Sequence, residues 1–348
     1  MNLIQKMNII IPMSGIGKRF IDAKYQQPKP LIEVDQKTII EHVINLFPGE
    51  QNISFICNEI HLNTTNMKQI LNKIAPTGKI YSVGNENRYG PVHAVSQIFD
   101  YIDDHDEIIV SYCDYGTWWN YHTFLDQIRS DKADGAIPCY TGFHPHMTGK
   151  DNYAFVKHNN MWMTEIREKM PFTDDRMSEY ASNGTYYFRT GAILKKYFQQ
   201  LMDLKITVNN EYYVSLVYNL MVQDKLKVKI YQIDNMLQWG TPFDLECYNI
   251  WSNYFKQCQN VLQPKYYSNC TTILPMAGKG SRFSMMGYNE PKPLLPVNGN
   301  PMIIEAMLCL PQSGKNIIIG LQQHFNEYPI KDKLLQKYPN RIFIKMLL

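Results

Sequence analysis

Two cationic residues follow a glycine-containing loop near the start of the chain. The loop comes after the apolar run NIIIP (8–12), and its residues are Met13, Ser14, Gly15, Ile16, Gly17, Lys18 and Arg19. Glycine lets a backbone approach a ligand closely, and N–H groups in such a loop can point at phosphate oxygens. Lys29 follows ten residues after Arg19, between two prolines that stiffen its backbone. The combination predicts a triphosphate site, since Phe20 stands where a dinucleotide fingerprint needs its third glycine.

One carboxylate, Asp114, comes directly after the apolar run EIIVSYC (107–113). Ligands of open α/β sheets bind at the carboxyl ends of the strands, and Mg²⁺ prefers carboxylate oxygens and phosphates as ligands. We therefore expect Asp114 to hold Mg²⁺ over the phosphates.

The loop pattern recurs 263 residues later. Residues 12–34 (PMSGIGKRFIDAKYQQPKPLIEV) and 275–297 (PMAGKGSRFSMMGYNEPKPLLPV) are identical at 12 of 23 positions without a gap. The second segment retains Gly278, Gly280, Arg282 and Lys292. We expect a complete domain over 1–258, a linker at 259–270 and the truncated amino-terminal part of a second such domain at 271–348, without turnover of its own. A small independent domain that shares only the motif is the alternative.

GxGxRF followed by PKPL resembles the nucleotidyltransferase family that activates sugar phosphates and related phospho-alcohols. The resemblance covers the complete first domain and implies a nucleotide-diphospho-sugar transferase-like fold. It also implies that Arg19 and Lys29 stabilise the leaving pyrophosphate and that Asp114 is the metal ligand. Gly90, in NENRYGPVHAV, matches a family glycine beside the nucleotide base, which makes Asn87 a candidate base contact.

The resemblance extends to residues that would bind the acceptor. Glu168 and Lys169, in EIREKMPF, match a family pair in which the lysine holds the acceptor phosphate and the glutamate accepts hydrogen bonds from its polar body. Asn183 and Gly184, in SNGTYYF, match an asparagine–glycine pair that lines the acceptor pocket. Glu211, in NNEYYVSLV, matches a family glutamate at a helix start.

One position departs from the family pattern. A second metal ligand, often aspartate, usually stands just before a GTP-type turn, and this chain has Gln238 before Gly240, Thr241 and Pro242. Glutamine brings no charge to Mg²⁺. Asp234 or Asp244 would be substitutes, or the triphosphate and water would complete the metal shell.

Two further clusters favour packing over chemistry. His144 and His146, in GFHPHM, are too few to make a metal site, and we interpret them as loop packing. The aromatic group near Asp114 either shapes an acceptor pocket or packs in the core or rim, and we favour packing; its members are Trp118, Trp119, Tyr121 and Tyr140.

The elements that position these residues alternate along the chain. Short β-branched runs predict buried parallel strands at 8–12, 53–57, 79–83 and 107–112, with helices between and after them at 38–47, 63–74, 91–102 and 119–129. This order predicts an α/β fold with a doubly wound, mostly parallel sheet. Later segments predict a mixed α+β acceptor layer over its carboxyl edge: strands at 153–157, 161–166, 184–189 and 226–233 with helices at 190–202 and 211–223.

Composition excludes several classes of protein. The 348 residues suggest about two domains, and 45% apolar residues allow a core. A net charge of +3, from 35 basic and 32 acidic residues, does not favour nucleic acid as a partner. The seven cysteines form no CxxC pair, which favours reduced thiols. No apolar run reaches the ~18–20 residues of a membrane span, and no secretory signal is visible, so we expect a cytoplasmic protein.

These observations favour a Mg²⁺-dependent nucleotidyltransferase, and by resemblance one that makes an activated precursor for surface polysaccharide, such as a capsule. Its partners would be a nucleoside triphosphate and a phosphorylated small-molecule acceptor, and an incomplete second sheet favours self-association. One alternative is a glycosyltransferase of the related GT-A type, which would carry an acidic D-x-D pair where this chain has only Asp114. The other is a catalytically weak nucleotide-binding or regulatory subunit, which Gln238 and the truncated second copy would favour.

Overall fold

The chain divides into two compact units, each with its own sheet. The computed structural model describes residues 6–84, 89–259, 266–310, 312–337 and 341–346. The first unit is Met1–Asn253 and the second is Tyr254–Leu348. None of the helices in these described ranges has the length and hydrophobicity that a bilayer crossing requires.

The first unit contains strands and helices in an alternating order. Its main strands are β1 (Met7–Met13), β2 (Ile53–Asn58), β3 (Lys79–Val83), β4 (Glu107–Ser111), β5 (Tyr115–Trp118), β6 (Gly135–Tyr140), β7 (Ala154–Asn159), β8 (Trp162–Glu168), β9 (Tyr180–Ser182), β10 (Thr185–Phe188), β11 (Val228–Gln232) and β12 (Asn235–Gln238). Its helices are α1 (Lys18–Asp22), α2 (Ile39–Ile44), α3 (Glu59–Thr64), α4 (Met67–Ile74), α5 (Pro91–Ser96), α6 (Tyr121–Ser130), α7 (Gly191–Asp203), α8 (Val214–Gln223) and α9 (Pro242–Gln259).

Four parallel strands form one half of the main sheet, and they are the strands that the short apolar runs predict. β1 lies between β2 and β4, with Ile9 paired to Ile53 on one side and to Ile109 on the other. Every residue of β2 and β4 is buried. Because these strands are parallel, the residues that follow Met13 and Ser111 leave the sheet at the same edge.

The later strands continue this sheet. The strand order is β9-β7-β8-β11-β6-β10-β4-β1-β2-β3, and β10 joins the two halves by pairing antiparallel with both β4 and β6. The predicted α/β fold is confirmed, and its mixed part is an extension of the parallel sheet. This arrangement places β8, which ends at Glu168, in the same sheet as β1, which the glycine loop follows.

Helices cover both faces of the sheet. One apolar cluster contains side chains of α5, α7 and α8, and a second contains side chains of α2, α4 and α6. The helix predicted at 63–74 is two helices, α3 and α4, and the one predicted at 91–102 ends at Ser96 before a 3₁₀ turn at Phe99–Tyr101. The helix predicted from residue 211 begins at Val214, so Glu211 precedes it in a non-helical segment.

Several elements of the first unit lie outside the predicted pattern. β5 and β12 form an antiparallel ribbon in which Tyr115 pairs with Gln238. β6 was not predicted, although all of its residues, GAIPCY, are buried. The ribbon matters for function because it brings the segments next to Asp114 and Gln238 together.

The second unit has a three-stranded parallel sheet. Its main strands are β13 (Tyr266–Met276), β14 (Gln312–Leu321) and β15 (Arg341–Met346), and its helices are α10 (Ser281–Met285), α11 (Met302–Leu308), α12 (Gln322–Glu327) and α13 (Ile330–Lys337). The boundary between the two units falls within α9.

The repeated motif has the same local geometry in both units. Gly17 has φ +68° and precedes α1, and Gly280 has φ +66° and precedes α10. In both units a 3₁₀ turn with the sequence KPL follows, at Lys29–Leu31 and at Lys292–Leu294. The two copies of the sequence therefore fold alike at the level of the loop.

Candidate active site

A cleft in the first unit, with a volume of about 620 Å³, lies along the carboxyl ends of β1 and β4 and beside β8. It collects residues from segments that are far apart in sequence. The predicted site residues that line it are Met13, Ser14, Gly15, Gly17, Arg19, Lys29, Gly90, Asp114, Glu168, Lys169, Asn183, Gly184, Glu211 and Gln238. Asn87 lies outside the described residues, and Asp234 does not line the cleft.

The glycine loop is held close to Lys29. The Asn58 side chain donates a hydrogen bond to the Ser14 carbonyl at 2.9 Å, which ties the loop to the end of β2. A Cβ built on Gly17 would lie 3.7 Å from Cβ of Lys29, and the left-handed φ of Gly17 favours glycine at that position. The loop and the Lys29 turn therefore form one wall of the cleft.

Lys29 forms an ion pair with Asp114. Its Nζ donates to Oδ2 of Asp114 at 2.7 Å, and each side chain is 23% exposed. Burial lowers the pKa of Lys29, but Asp114 and Cys113 together outweigh this effect, and the pKa is raised above its ordinary value. Lys29 is therefore a cation at neutral pH.

Gln238 and Gly240 lie beside the same carboxylate. A Cβ built on Gly240 would lie 2.8 Å from Oδ2 of Asp114 and 2.7 Å from Nε2 of Gln238, so a larger residue there would displace the ends of these two side chains. Asp234 comes before β12, at the opposite end of the ribbon from Asp114, roughly 17 Å away at ~3.3 Å per strand residue. Geometry thus favours Gln238 over Asp234 as a neighbour of any bound metal.

These residues fit a Mg²⁺ ion that is held mainly by its substrate. Mg²⁺ is usually bound by one or two carboxylates together with phosphate oxygens and water. Asp114 supplies one carboxylate and Gln238 one amide oxygen, while no group of three or more His, Cys, Asp or Glu in the described ranges is arranged around a metal. Asp244 accepts a hydrogen bond from the Thr241 hydroxyl at 2.7 Å and does not line the cleft.

Gly90 is required by packing as well as by its place in the cleft. Its φ is +93°, and a Cβ built on it would lie 2.8 Å from the backbone nitrogen of Tyr212 and 3.0 Å from Cβ of Glu211. The Tyr212 N–H donates to the Tyr89 carbonyl at 2.7 Å, and the Val92 N–H donates to the Tyr212 carbonyl at 3.1 Å. The segment before α5 is thus fastened to the segment before α8.

Glu168 is a buried carboxyl group with a perturbed pKa. It is 9% exposed and accepts a hydrogen bond from the Ser215 hydroxyl at 2.6 Å. Burial raises the pKa of Glu168 to about 7, against the lowering effects of Ser215 and Lys169. Both its protonated and ionised forms are therefore present near neutral pH.

Lys169 points its ammonium at Tyr213. Its backbone has φ +58°, and its N–H donates to the Tyr153 carbonyl at 2.7 Å. Nζ donates to the Tyr213 hydroxyl and lies 4.2 Å from the centre of the tyrosine ring. That hydroxyl donates in turn to Oε2 of Glu211.

Asn183 has a spare donor in the same pocket. Its Oδ1 accepts from the Thr185 N–H at 3.0 Å, while its Nδ2 is buried without a hydrogen-bond partner among the described residues. The Tyr153 hydroxyl, also in the cleft lining, is likewise buried and has no partner in the part of the chain that the structure describes. Buried polar groups are nearly always paired, so these two atoms are suited to a ligand or to ordered water.

The sequence did not single out the tyrosines of the cleft, Tyr89, Tyr112, Tyr115, Tyr153, Tyr186 and Tyr213. Tyr213 lies two residues after Glu211 in the motif EYY, and this proximity was the signal in the sequence that could have identified it. The aromatic group near Asp114 packs as we favoured at three of its four positions: the Trp119 indole donates to the Leu46 carbonyl at 3.1 Å, and Tyr121 and Tyr140 are buried, while Trp118 is exposed. His146 contacts the Tyr140 hydroxyl at 2.9 Å, and burial lowers its pKa to about 3, in agreement with loop packing.

The sequence and the fold match known nucleotidyltransferases. The family described as nucleotidyl transferase matches residues 8–235. The chain is 25% identical over 243 residues to the bifunctional protein GlmU of Buchnera aphidicola, and the match covers 67% of this chain and 50% of that protein. The chain thus spans about half the length of this curated relative.

Solved structures share the fold. The nucleoside-diphosphate-sugar pyrophosphorylase from Vibrio cholerae has a TM-score of 0.56 at 20% identity, with 70% of this chain and 99% of that chain covered. The inositol-1-phosphate CTP transferase from T. maritima has a TM-score of 0.53 at 16% identity, with 71% and 95% covered. At these identities the likeness concerns the fold.

Proposed function

This chain belongs to the nucleotidyl transferase family, and on that premise we propose that it joins a nucleoside triphosphate to a phosphorylated sugar or small phospho-alcohol and releases pyrophosphate. The observation that supports this most directly is that one cleft contains two sets of groups. The glycine loop, Lys29 and Asp114 suit a triphosphate, while Glu168, Lys169 and Asn183 suit a phosphorylated acceptor. Of the two solved structures above, one is named for a nucleoside-diphosphate sugar and the other for inositol 1-phosphate.

The proposed chemistry is an in-line substitution at phosphorus. An oxygen of the acceptor phosphate attacks the α-phosphorus, a new P–O bond forms, and the bond to the bridging oxygen of pyrophosphate breaks. Little covalent work falls to the protein, so positioning and charge neutralisation supply the rate.

The three cations have two roles in this scheme. Arg19 is exposed at the rim of the cleft and Lys29 lies deeper, and both stabilise the negative charge of the leaving pyrophosphate. Lys169 binds and orients the attacking phosphate. Asn183 donates its spare N–H to the body of the acceptor, and ionised Glu168 accepts hydrogen bonds from it.

A divalent cation would be held by Asp114, with Gln238 beside it and the triphosphate oxygens completing its shell. When bound, Mg²⁺ would neutralise charge on the transferred group and the acceptor phosphate. The single carboxylate implies that the affinity for the cation depends on the triphosphate.

The second candidate function is that of a nucleotide-binding or regulatory subunit with weak catalysis. Gln238 favours it, because the amide gives the metal no second negative charge. A GT-A glycosyltransferase is less well supported, since neither Tyr112 nor Gly116 supplies the second acidic residue of a D-x-D pair with Asp114.

We also propose the roles that rest on motif resemblance alone. The second unit is a copy of the amino-terminal part of the first, which its matching loop geometry at Gly280 and Lys292 supports. The product is an activated precursor for surface polysaccharide, made in the cytoplasm. Asn87 contacts the nucleotide base.

The test is a screen for pyrophosphate release. Purified protein with Mg²⁺ is offered each common nucleoside triphosphate against a panel of sugar 1-phosphates and small phospho-alcohols. Release that needs one triphosphate and one acceptor supports the proposal and names both substrates. Tight triphosphate binding without release from any pair favours the binding-subunit alternative.

A further inference from the structure

Tyr213 uses both its hydroxyl and its ring to hold Lys169. The hydroxyl accepts a hydrogen bond from Nζ of Lys169 and donates its own proton to Glu211. The ammonium also lies 4.2 Å from the centre of the ring, within the range of a cation–π contact. One side chain therefore fixes the ammonium from two directions.

The backbone on both sides of this contact is also fixed. The Lys169 N–H donates to the Tyr153 carbonyl at 2.7 Å, and Lys169 adopts a left-handed φ of +58°, which a residue other than glycine rarely adopts. On the other side, the Tyr212 N–H donates to the Tyr89 carbonyl at 2.7 Å. A small change at Tyr213 is therefore not easily absorbed by backbone movement.

A lysine side chain has many rotamers, and the two neighbouring carboxylates compete for its charge. Glu168 precedes Lys169 in sequence, and the Tyr213 hydroxyl connects Lys169 to Glu211. Without the hydroxyl, the ammonium is free to pair directly with either carboxylate. The Lys169 side chain would then become ordered only when the acceptor phosphate binds, and the lost conformational entropy weakens binding.

We propose that Tyr213 is a positioning residue that holds the Lys169 ammonium in place for the acceptor phosphate. The proposal deepens the proposed function and rests on it. The chemical class it concerns is a phosphate monoester acceptor. Tyr213 acts through Lys169 and needs no contact with the reacting atoms.

Tyr213→Phe removes the hydroxyl and keeps the ring that packs against the core. The matched control is Tyr180→Phe, which removes a hydroxyl that donates to Oε1 of Gln232 at 3.0 Å and lies outside the cleft lining. With the substrate pair found by the screen, Tyr213→Phe should raise the KM for the acceptor about three- to tenfold, because the Lys169 side chain is no longer held in place before the acceptor binds. The KM for the triphosphate and the kcat should stay within about twofold. An unchanged acceptor KM, or an equal rise in the control, overturns the proposal.

A second measurement does not depend on turnover. In protein labelled with ¹⁵N-lysine, the ammonium signal of Lys169 is assigned by its loss in Lys169→Arg. We expect its protons to exchange with solvent about tenfold faster in Tyr213→Phe than in the wild type, because a hydrogen bond to the ammonium is lost. Equal exchange in the two proteins overturns the proposal. If no substrate pair releases pyrophosphate, the proposed function fails, and this exchange rate still decides whether Tyr213 holds Lys169.

Discussion

Replacing Lys29 with methionine should abolish most of the catalytic activity and leave the fold intact. Methionine keeps the length of the side chain and removes its charge. Lys29 is the deeper of the two cations assigned to the triphosphate, and its Nζ lies 2.7 Å from Oδ2 of Asp114. The charge that remains on Asp114 is 23% exposed and can be hydrated, so the free energy of unfolding should change little.

The magnitude follows from the position of Lys29. Two unit charges about 4 Å apart interact by roughly 4 kcal/mol at an effective dielectric constant of ~20, and removing one preorganised donor from a transition state typically costs about 10²–10³-fold in kcat. The side chains of Lys29 and Asp114 are both about three-quarters buried, so the upper part of this range applies. We expect kcat to fall by about 10³-fold.

The assay is steady-state pyrophosphate release with the substrate pair from the screen. Lys18→Met is the matched control, because Lys18 is also in the cleft lining, is exposed, and carries the same charge. Its kcat should stay within about threefold of the wild type, since exposed charges are screened by water. Near-normal activity of Lys29→Met, or an equal loss in both variants, would refute the reasoning.

Three further predictions concern stability and pH. Burial raises the pKa of Glu168 from 4.5 to about 7. Between pH 4.5 and 7 the carboxyl group is ionised in the unfolded chain and still protonated in the folded one, so the free energy of unfolding should fall as the pH rises. Glu168→Gln should remove that slope in urea titrations, and a slope that persists would assign it to another group. Gly90→Ala forces a Cβ to within 2.8 Å of the Tyr212 nitrogen at φ +93°. The free energy of unfolding, measured by urea denaturation, should fall by about 2–3 kcal/mol. A fall of less than ~0.5 kcal/mol would contradict the packing. The Glu107 carboxylate is 4% exposed, and the Arg129 guanidinium donates to both its oxygens at 3.1 Å. Arg129→Leu leaves this carboxylate without the guanidinium and should lower the free energy of unfolding by about 2 kcal/mol. An unchanged midpoint of urea denaturation would disprove this role.

The parts of the fold that local sequence determines could be predicted. Runs such as NIIIP are short, apolar and β-branched, and they form buried parallel strands. The glycine loop and the KPL turn are also local, because Gly17 takes a positive φ and prolines flank Lys29. The loops that follow parallel strands lie at the same edge of the sheet. The topology alone therefore predicted that Asp114 lies near the glycine loop.

The parts that depend on distant contacts could not be predicted. β6 begins with glycine and contains Pro138, both unfavourable in strands, and it forms because β10 and β11 pair with its two sides. The partnership of Lys169 and Tyr213 joins residues 44 positions apart and depends on how α8 packs beside β8. Glu211 was expected to start a helix, and the structure places that start at Val214.

The most direct test of the central claim follows the α-phosphorus of the triphosphate. Protein, Mg²⁺ and the acceptor from the screen are incubated with α-³²P-labelled triphosphate, and the products are separated. If the protein is a nucleotidyltransferase, the label appears in a conjugate that contains the acceptor, in amounts equal to the unlabelled pyrophosphate, and Asp114→Asn abolishes it. Label that appears only in free nucleoside monophosphate, or that stays in the triphosphate, would contradict the account.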